Sequence, residues 1–172
     1  MKQKIFLVDD EEMNVELMKD ALSSKYSSFE FTGYATGEEC LKAMDQNPKI
    51  IFLDYWLNSQ NQGAMNGLQV LKNIKKGNPD TEVVIVSSQD KIEVAVNVMK
   101  NGAFDYIIKG EGAFHRAQQV VYNIIKYAEM KKTANMYKRL TLIFAFAFLA
   151  VLFIIVILQM QGLILDFPSF SI

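Results

Sequence analysis

Three carboxylates, one lysine and one hydroxyl carry the chemistry this sequence offers. Asp9 and Asp10 follow directly on the run KIFLV (residues 4–8), Asp54 ends IIFLD (50–54), Ser87 ends EVVIVS (82–87) with Ser88 beside it, and Lys109 follows DYII (105–108). Each run is short and dominated by apolar residues, so each reads as a buried strand with its chemical residue at the carboxyl end. In open α/β sheets that edge is where ligands bind. Three carboxylates gathered there repel one another and stay ionised at neutral pH only if a cation joins them. Oxygen donors without histidine or thiolate suit a hard ion, Mg²⁺ or Mn²⁺, and magnesium is usually shared with a phosphate. A lysine supplies a point charge and a serine a hydrogen bond to the remaining phosphoryl oxygens. A carboxylate can itself be the nucleophile, forming an aspartyl phosphate, and Asp54 is the central candidate.

The elements that must position these groups alternate along the chain. Between the strands at 4–8, 29–34, 50–54, 82–87 and 105–108 lie helical patterns. The pattern at 11–23 has Met13, Leu17, Ala21 and Leu22 at helical spacing, and 36–46 turns Cys40, Leu41 and Met44 inward. The pattern at 66–76 carries Leu68, Val70, Leu71 and Ile74, 91–101 ends at Gly102, and a last helix starts near Gly112. Asn47-Pro48 and Gly77-Asn78-Pro79-Asp80 are breakers. Buried strands separated by helices predict a parallel sheet covered on both faces, and right-handed crossovers make it a five-stranded, doubly wound α/β sandwich.

Four pieces in order, IFLVDDEEMN, the IIFLD strand end, the VVIVSSQD strand end and NGAFDYIIKG, are similar to the receiver domains of two-component response regulators, the CheY-like family. The resemblance covers about residues 4–126. It implies a flavodoxin-like sheet of order 2-1-3-4-5, Asp9 and Asp10 as the magnesium-binding acidic pair, and Asp54 as the phosphoacceptor. It also implies the Trp56 backbone carbonyl as a further metal ligand, Ser87 as the switch hydroxyl, Lys109 as the lysine contacting the phosphoryl group, and Tyr106 as the aromatic switch that follows Ser87. The implied partner is a histidine kinase or phosphotransfer protein. Two features depart from the family pattern. Gly110 stands where a proline usually follows the lysine, so the turn is expected to be looser, or trans. The loop from Asp54 to Gly67 is several residues longer than usual and lacks its proline.

Plainer readings stand beside these. Glu11 and Glu12 suit an acidic helix start, Tyr106 suits core packing as well as a switch, Cys40 a small core residue, and His115 a solvated position. Trp56 is expected to shield the site's edge. An aspartyl-phosphate phosphatase typically wants a second acid two residues after the nucleophile, and Trp56 occupies that position. A flavin-binding domain of similar architecture would meet an acidic crevice that repels the phosphate of FMN. A receiver-like membrane scaffold that needs no phosphate is the remaining alternative.

The 172 residues carry a net charge of −1, one cysteine and one histidine. No nucleic-acid partner is expected from that balance, nor a disulfide framework or Cys-rich zinc site. No DNA-binding or catalytic output module is recognisable, so output is expected through an unknown protein partner, a dimer interface or competition for phosphate. Composition changes after Arg139. Residues 140–158 (LTLIFAFAFLAVLFIIVIL) carry no charge, and Thr141 is their only polar residue. About 20 apolar residues span a bilayer as a helix, and apolarity all round argues against a core or partner-binding helix. Before this stretch, Lys126, Lys131, Lys132, Lys138 and Arg139 face Glu129 alone, while the tail 159–172 has only Asp166. The basic flank predicts a single pass through the cytoplasmic membrane, with the N-terminal domain in the cytoplasm and the tail outside. The expected division is a receiver domain at 1–126, a basic juxtamembrane linker or helix extension at 127–139, a transmembrane helix at 140–160 and an external tail at 161–172. Val121, Ile124, Ile125, Tyr127 and Ala128 form a stripe with two readings. One is the last receiver helix packing on the sheet. The other is a continuous helix that pairs with a second copy and runs into the membrane, although Lys131-Lys132 and Thr133-Ala134-Asn135 interrupt its heptad pattern.

Overall fold

A computed structural model describes residues 2–57 and 63–160 of the chain. The expected tail at 161–172, and residues 58–62 of the long loop after Asp54, lie outside the described residues. In chain order the elements are β1 (Gln3–Val8), α1 (Glu12–Ser23), β2 (Phe29–Tyr34), α2 (Gly37–Lys42), β3 (Ile50–Asp54), α3 (Gly67–Gly77), β4 (Glu82–Ser87), α4 (Ile92–Lys100), β5 (Asp105–Ile108) and α5 (Ala113–Met160). The five strands form one parallel sheet in the order β2-β1-β3-β4-β5. This is the flavodoxin-like order that the resemblance implies.

The period-2 alternation of a strand divides the core in two. Ile5, Leu7, Ile50, Phe52, Val84, Val86 and Ile107 pack under α1 and α5, with Leu22, Val120 and Ile124. Phe6, Val8, Ile51, Leu53, Val83 and Ile85 pack under α2, α3 and α4, with Cys40, Val70, Leu71, Ile74 and Val98. Both faces are covered, which is why the central strands β3 and β4 are apolar almost throughout, while the edge strand β2 (FEFTGY) alternates and is only partly buried.

Two helical readings change. Met13 and Leu17 are exposed; α1 buries Leu22 as the spacing suggests, but with Val15 and Met18 beside it. Val15 reaches its place because Gly33 on β2 has no side chain; a Cβ there would stand 2.5 Å from Val15 Cγ1. The second helix stops at Lys42, and residues 44–46 form a 3₁₀ turn ended by Asn47 in the left-handed conformation. That turn still buries Met44.

By its contacts the chain divides into two units between Ile125 and Lys126. The first holds the sheet and its helices. In the second, α5 passes unbroken through Lys131-Lys132 and Thr133-Ala134-Asn135. Those residues interrupt an apolar stripe, not a helix, because none of them is a strong helix breaker. Beyond them α5 is long and apolar enough to cross a membrane by length and composition, and none of that apolar window is buried.

Candidate functional site

The strand ends deliver the acidic groups to one edge. Parallel pairing sets Val8 beside Leu53 and Asp54 beside Val86. The chain leaves β1 at Asp9, whose N–H donates to the Tyr34 carbonyl at 3.1 Å. Across the edge, the Lys109 N–H donates to the Ser87 carbonyl at 2.7 Å and the Tyr55 N–H to the Val86 carbonyl at 2.9 Å. These main-chain bonds extend the ladder one step past the strands and fix where the side chains start. Asp54 shares the α1–α5 face with its pairing partner Val86. Ser87 pairs with Ile108 and shares the opposite face with Tyr106.

Lys109 bridges two carboxylates. Its Nζ donates to Asp9 Oδ2 at 2.7 Å and to Asp54 Oδ2 at 2.9 Å. Carboxylate oxygens of Asp9, Asp10 and Asp54 lie within 4.8 Å of one another. Asp54 is only 5% exposed, and its Oδ1 is a buried atom without a hydrogen-bond partner among the described residues. A carboxylate oxygen left so is costly unless something else pairs with it. Burial pushes the Asp54 carboxyl above its ordinary value; Lys109 pulls it back, Asp9 pushes it further up, and the Trp56 main chain lowers it. Burial alone would lower the Lys109 ammonium, but its hydrogen bonds and charge attraction to Asp9 and Asp54 outweigh that and raise it. The donor set therefore fits a hard divalent cation: three carboxylates, all oxygen, one of them with an unsatisfied buried lone pair.

The remaining predicted residues lie beside this cluster. Ser87 is fully buried, and its Oγ accepts the Gln89 N–H at 3.1 Å. Tyr106 is half-buried against the α3–α4 core, and its hydroxyl donates to the Gln89 carbonyl at 2.7 Å. The two proposed switch residues thus hold the same residue by its two main-chain groups. The Trp56 side chain is 41% exposed and its ring meets Tyr55 edge-on at 5.3 Å. Gly110 has φ 150°, outside the range of proline, and all described peptide bonds are trans, in keeping with the expected turn.

Sequence reading passed over three residues here. Asn14 Nδ2 donates to Asp9 Oδ1 at 3.0 Å and to Glu11 Oε2 at 3.0 Å, while the Glu11 N–H also donates to Asp9 Oδ1. Its signal was an amide one turn into a helix whose start is acidic. Gln89 acts through its backbone, which no side-chain pattern reveals. Gly67 packs on the main-chain carbonyl of Asp54: a Cβ there would lie 2.3 Å from that oxygen. A cavity of about 270 Å³ between α1 and α5 is lined by Asp9, Asp54 and Lys109 together with Val15, Met18, Phe52 and Phe114.

The family described as response regulator receiver domain matches residues 5–121. An NtrX-like response regulator of Rickettsia felis is 38% identical over 107 residues, 61% of this chain and 21% of that protein. The nitrogen assimilation regulatory protein NtrX of Azorhizobium caulinodans is 31% identical over 142 residues, 82% of this chain and 30% of that protein. The chain therefore spans between about a fifth and a third of the length of these relatives. The solved receiver domain of NtrX from Brucella abortus is similar with a TM-score of 0.63 at 32% identity, covering 71% of this chain and 98% of that one.

Proposed function

The chain belongs to the response regulator receiver family, and from that premise we propose that it accepts a phosphoryl group on Asp54 from a histidine kinase or phosphotransfer protein, at a membrane that α5 enters. The observation that carries this reading is the Asp54 carboxylate: buried, held through Oδ2 by Lys109, and with Oδ1 left unpaired. One oxygen is positioned by Lys109, and the other has no hydrogen bond among the described residues competing for its lone pairs. Attack forms an O–P bond to Asp54 as the N–P bond to the donor imidazole breaks. Asp9, Asp10, Asp54 and the Trp56 carbonyl would hold Mg²⁺, or Mn²⁺, which supplies charge neutralisation for the phosphoryl oxygens. Lys109 meets the charge that develops on the transferring group, and Asp9 and Asn14 keep the lysine and the acidic edge in place.

The readout runs through Ser87, Gln89 and Tyr106. A phosphoryl group on Asp54 adds about −1.5 to −2 charge and competes with the Gln89 N–H for the Ser87 hydroxyl. When Ser87 turns to the phosphoryl group it releases Gln89, the residue that Tyr106 holds. The start of α4 and the β5 edge then repack and alter the surface offered to a downstream protein.

Residues 140–160 are proposed to span the cytoplasmic membrane, with the receiver in the cytoplasm. The exposed apolar helix and the basic flank at 126–139 support this. Anchoring raises the concentration seen by a membrane kinase.

The test uses the full chain in detergent with acetyl phosphate and Mg²⁺, read by intact mass and mapping of the modified residue. One Mg²⁺-dependent phosphoryl adduct, absent in Asp54→Ala, is the expected result. No adduct, or one indifferent to Asp54→Ala, overturns the phosphoacceptor reading in favour of a phosphate-independent membrane scaffold.

A further inference from the structure

In the second unit α5 runs through residues 126–139 as continuous helix, with Tyr127, Met130 and Tyr137 exposed by 51%, 55% and 63%. These three and the exposed Ala134 follow the three-four-three spacing of heptad a and d positions. Every other heptad register over 126–139 puts a lysine, arginine or glutamate on the seam, and this one puts none. Lys131, Lys132, Thr133 and Asn135 fall on its flanks. Past Arg139, where every residue as far as Leu158 but Thr141 is apolar, the positions in line with this seam are Thr141, Phe144, Phe148, Val151, Ile155 and Leu158.

We propose that this seam joins two copies of the chain, parallel and in register, from Tyr127 into the apolar segment. The inference rests on the membrane reading, because two identical chains inserted the same way present identical residues at the same height. Continuity and area both favour a second copy as the occupant. A stable interface buries about 800 Å² per partner, and a fully buried tyrosine contributes only about 150–250 Å². Four half-exposed side chains in the aqueous segment fall short of that. A partner that continues beside α5 past Arg139 makes up the difference by side-chain packing rather than by area removed from water, and a second copy of this chain, inserted the same way, meets the seam residue for residue. Confinement to the membrane adds effective concentration.

The experiment reconstitutes the full chain in phosphatidylethanolamine–phosphatidylglycerol vesicles and oxidises variants carrying one introduced cysteine with copper phenanthroline. Ala134→Cys lies on the seam and Lys132→Cys on the far side. Native Cys40 does not compete, since it is buried and its thiol is pushed up to about 12. The seam predicts a disulfide-linked dimer for Ala134→Cys, little for Lys132→Cys, and loss of the Ala134→Cys dimer when Met130→Glu is added. Because five cations face Glu129 alone in each copy, cross-linking rises as salt goes from about 0.01 M to about 1 M and screens the repulsion. Equal cross-linking at both positions, none at either, or a dimer lost at high salt overturns the seam. Carbonate washing separates this from the membrane reading. A chain that stays in the vesicles without selective cross-linking defeats the seam alone. A chain stripped from the vesicles that still cross-links selectively defeats the membrane reading alone.

Discussion

Asp9 has two oxygens with different work, and Asn14 governs one of them. Oδ2 takes the Lys109 ammonium, while Oδ1 is held by Asn14 and the Glu11 N–H. Replacing Asn14 by alanine leaves the main-chain donor but frees the carboxylate to rotate. The expected loss is about tenfold in Mg²⁺ affinity, as for other residues that orient metal ligands, measured by titrating the full chain. An unchanged affinity would remove Asn14 from the site. Asp54 offers a pH test in metal-free buffer. Its folded pKa is raised, mainly by burial, so the folded state holds this proton more tightly than the unfolded chain does. The stabilisation this provides is complete below about pH 3.9, the ordinary value, and is lost as pH rises through the raised folded value. Asp54→Asn is therefore expected to melt at a higher temperature than the native chain at pH 7, with the gap closing toward pH 4. A gap that widens on acidification would contradict the assigned direction.

At the scale of elements, the close approach of α3 to β3 constrains the backbone at Asp54. Asn66 and Gln69 form a reciprocal cap at the start of α3, and the Gly67 N–H donates to the Tyr55 carbonyl at 2.9 Å. The helix thus begins against the backbone that carries Asp54. Gly67→Ala places a methyl group into the Asp54 carbonyl, and the backbone must shift. We expect a loss of about 1–3 kcal/mol in urea unfolding, with an unchanged m-value, together with slower phosphorylation. A neutral Gly67→Ala would mean that the contact relaxes freely. Strand bounds were legible from apolar runs, and β3, β4 and β5 begin and end where those runs do. The buried face of α1 was not, because Met13, Leu17 and Val15, Met18 form rival stripes at helical spacing, and only the space left by Gly33 chooses between them.

For the whole molecule, the contrast between the two units makes a simple prediction. The full chain is expected in the membrane fraction and to resist carbonate washing, whereas a chain ending at Arg139 is expected in the supernatant with Asp54 still phosphorylatable. Recovery of the full chain as a soluble protein would overturn the anchor. The shorter chain keeps every residue of the acidic edge and both halves of the sheet core, since these belong to the unit that ends at Ile125.

The sequence by itself determined the sheet, its buried strands and the candidate acids, because strand periodicity and strand-end position are local properties. Asp9, Asp10, Asp54 and Lys109 could be named from four short strings. Tertiary structure alone decided that Lys109 bridges Asp9 and Asp54 while Asp54 Oδ1 is left unpaired. It also decided that Ser87 and Tyr106 meet through the backbone of Gln89, and that Asn14 orients Asp9. Those contacts join residues as far as 100 positions apart, or use main-chain groups that every residue possesses. Neither kind leaves a pattern in the order of side chains.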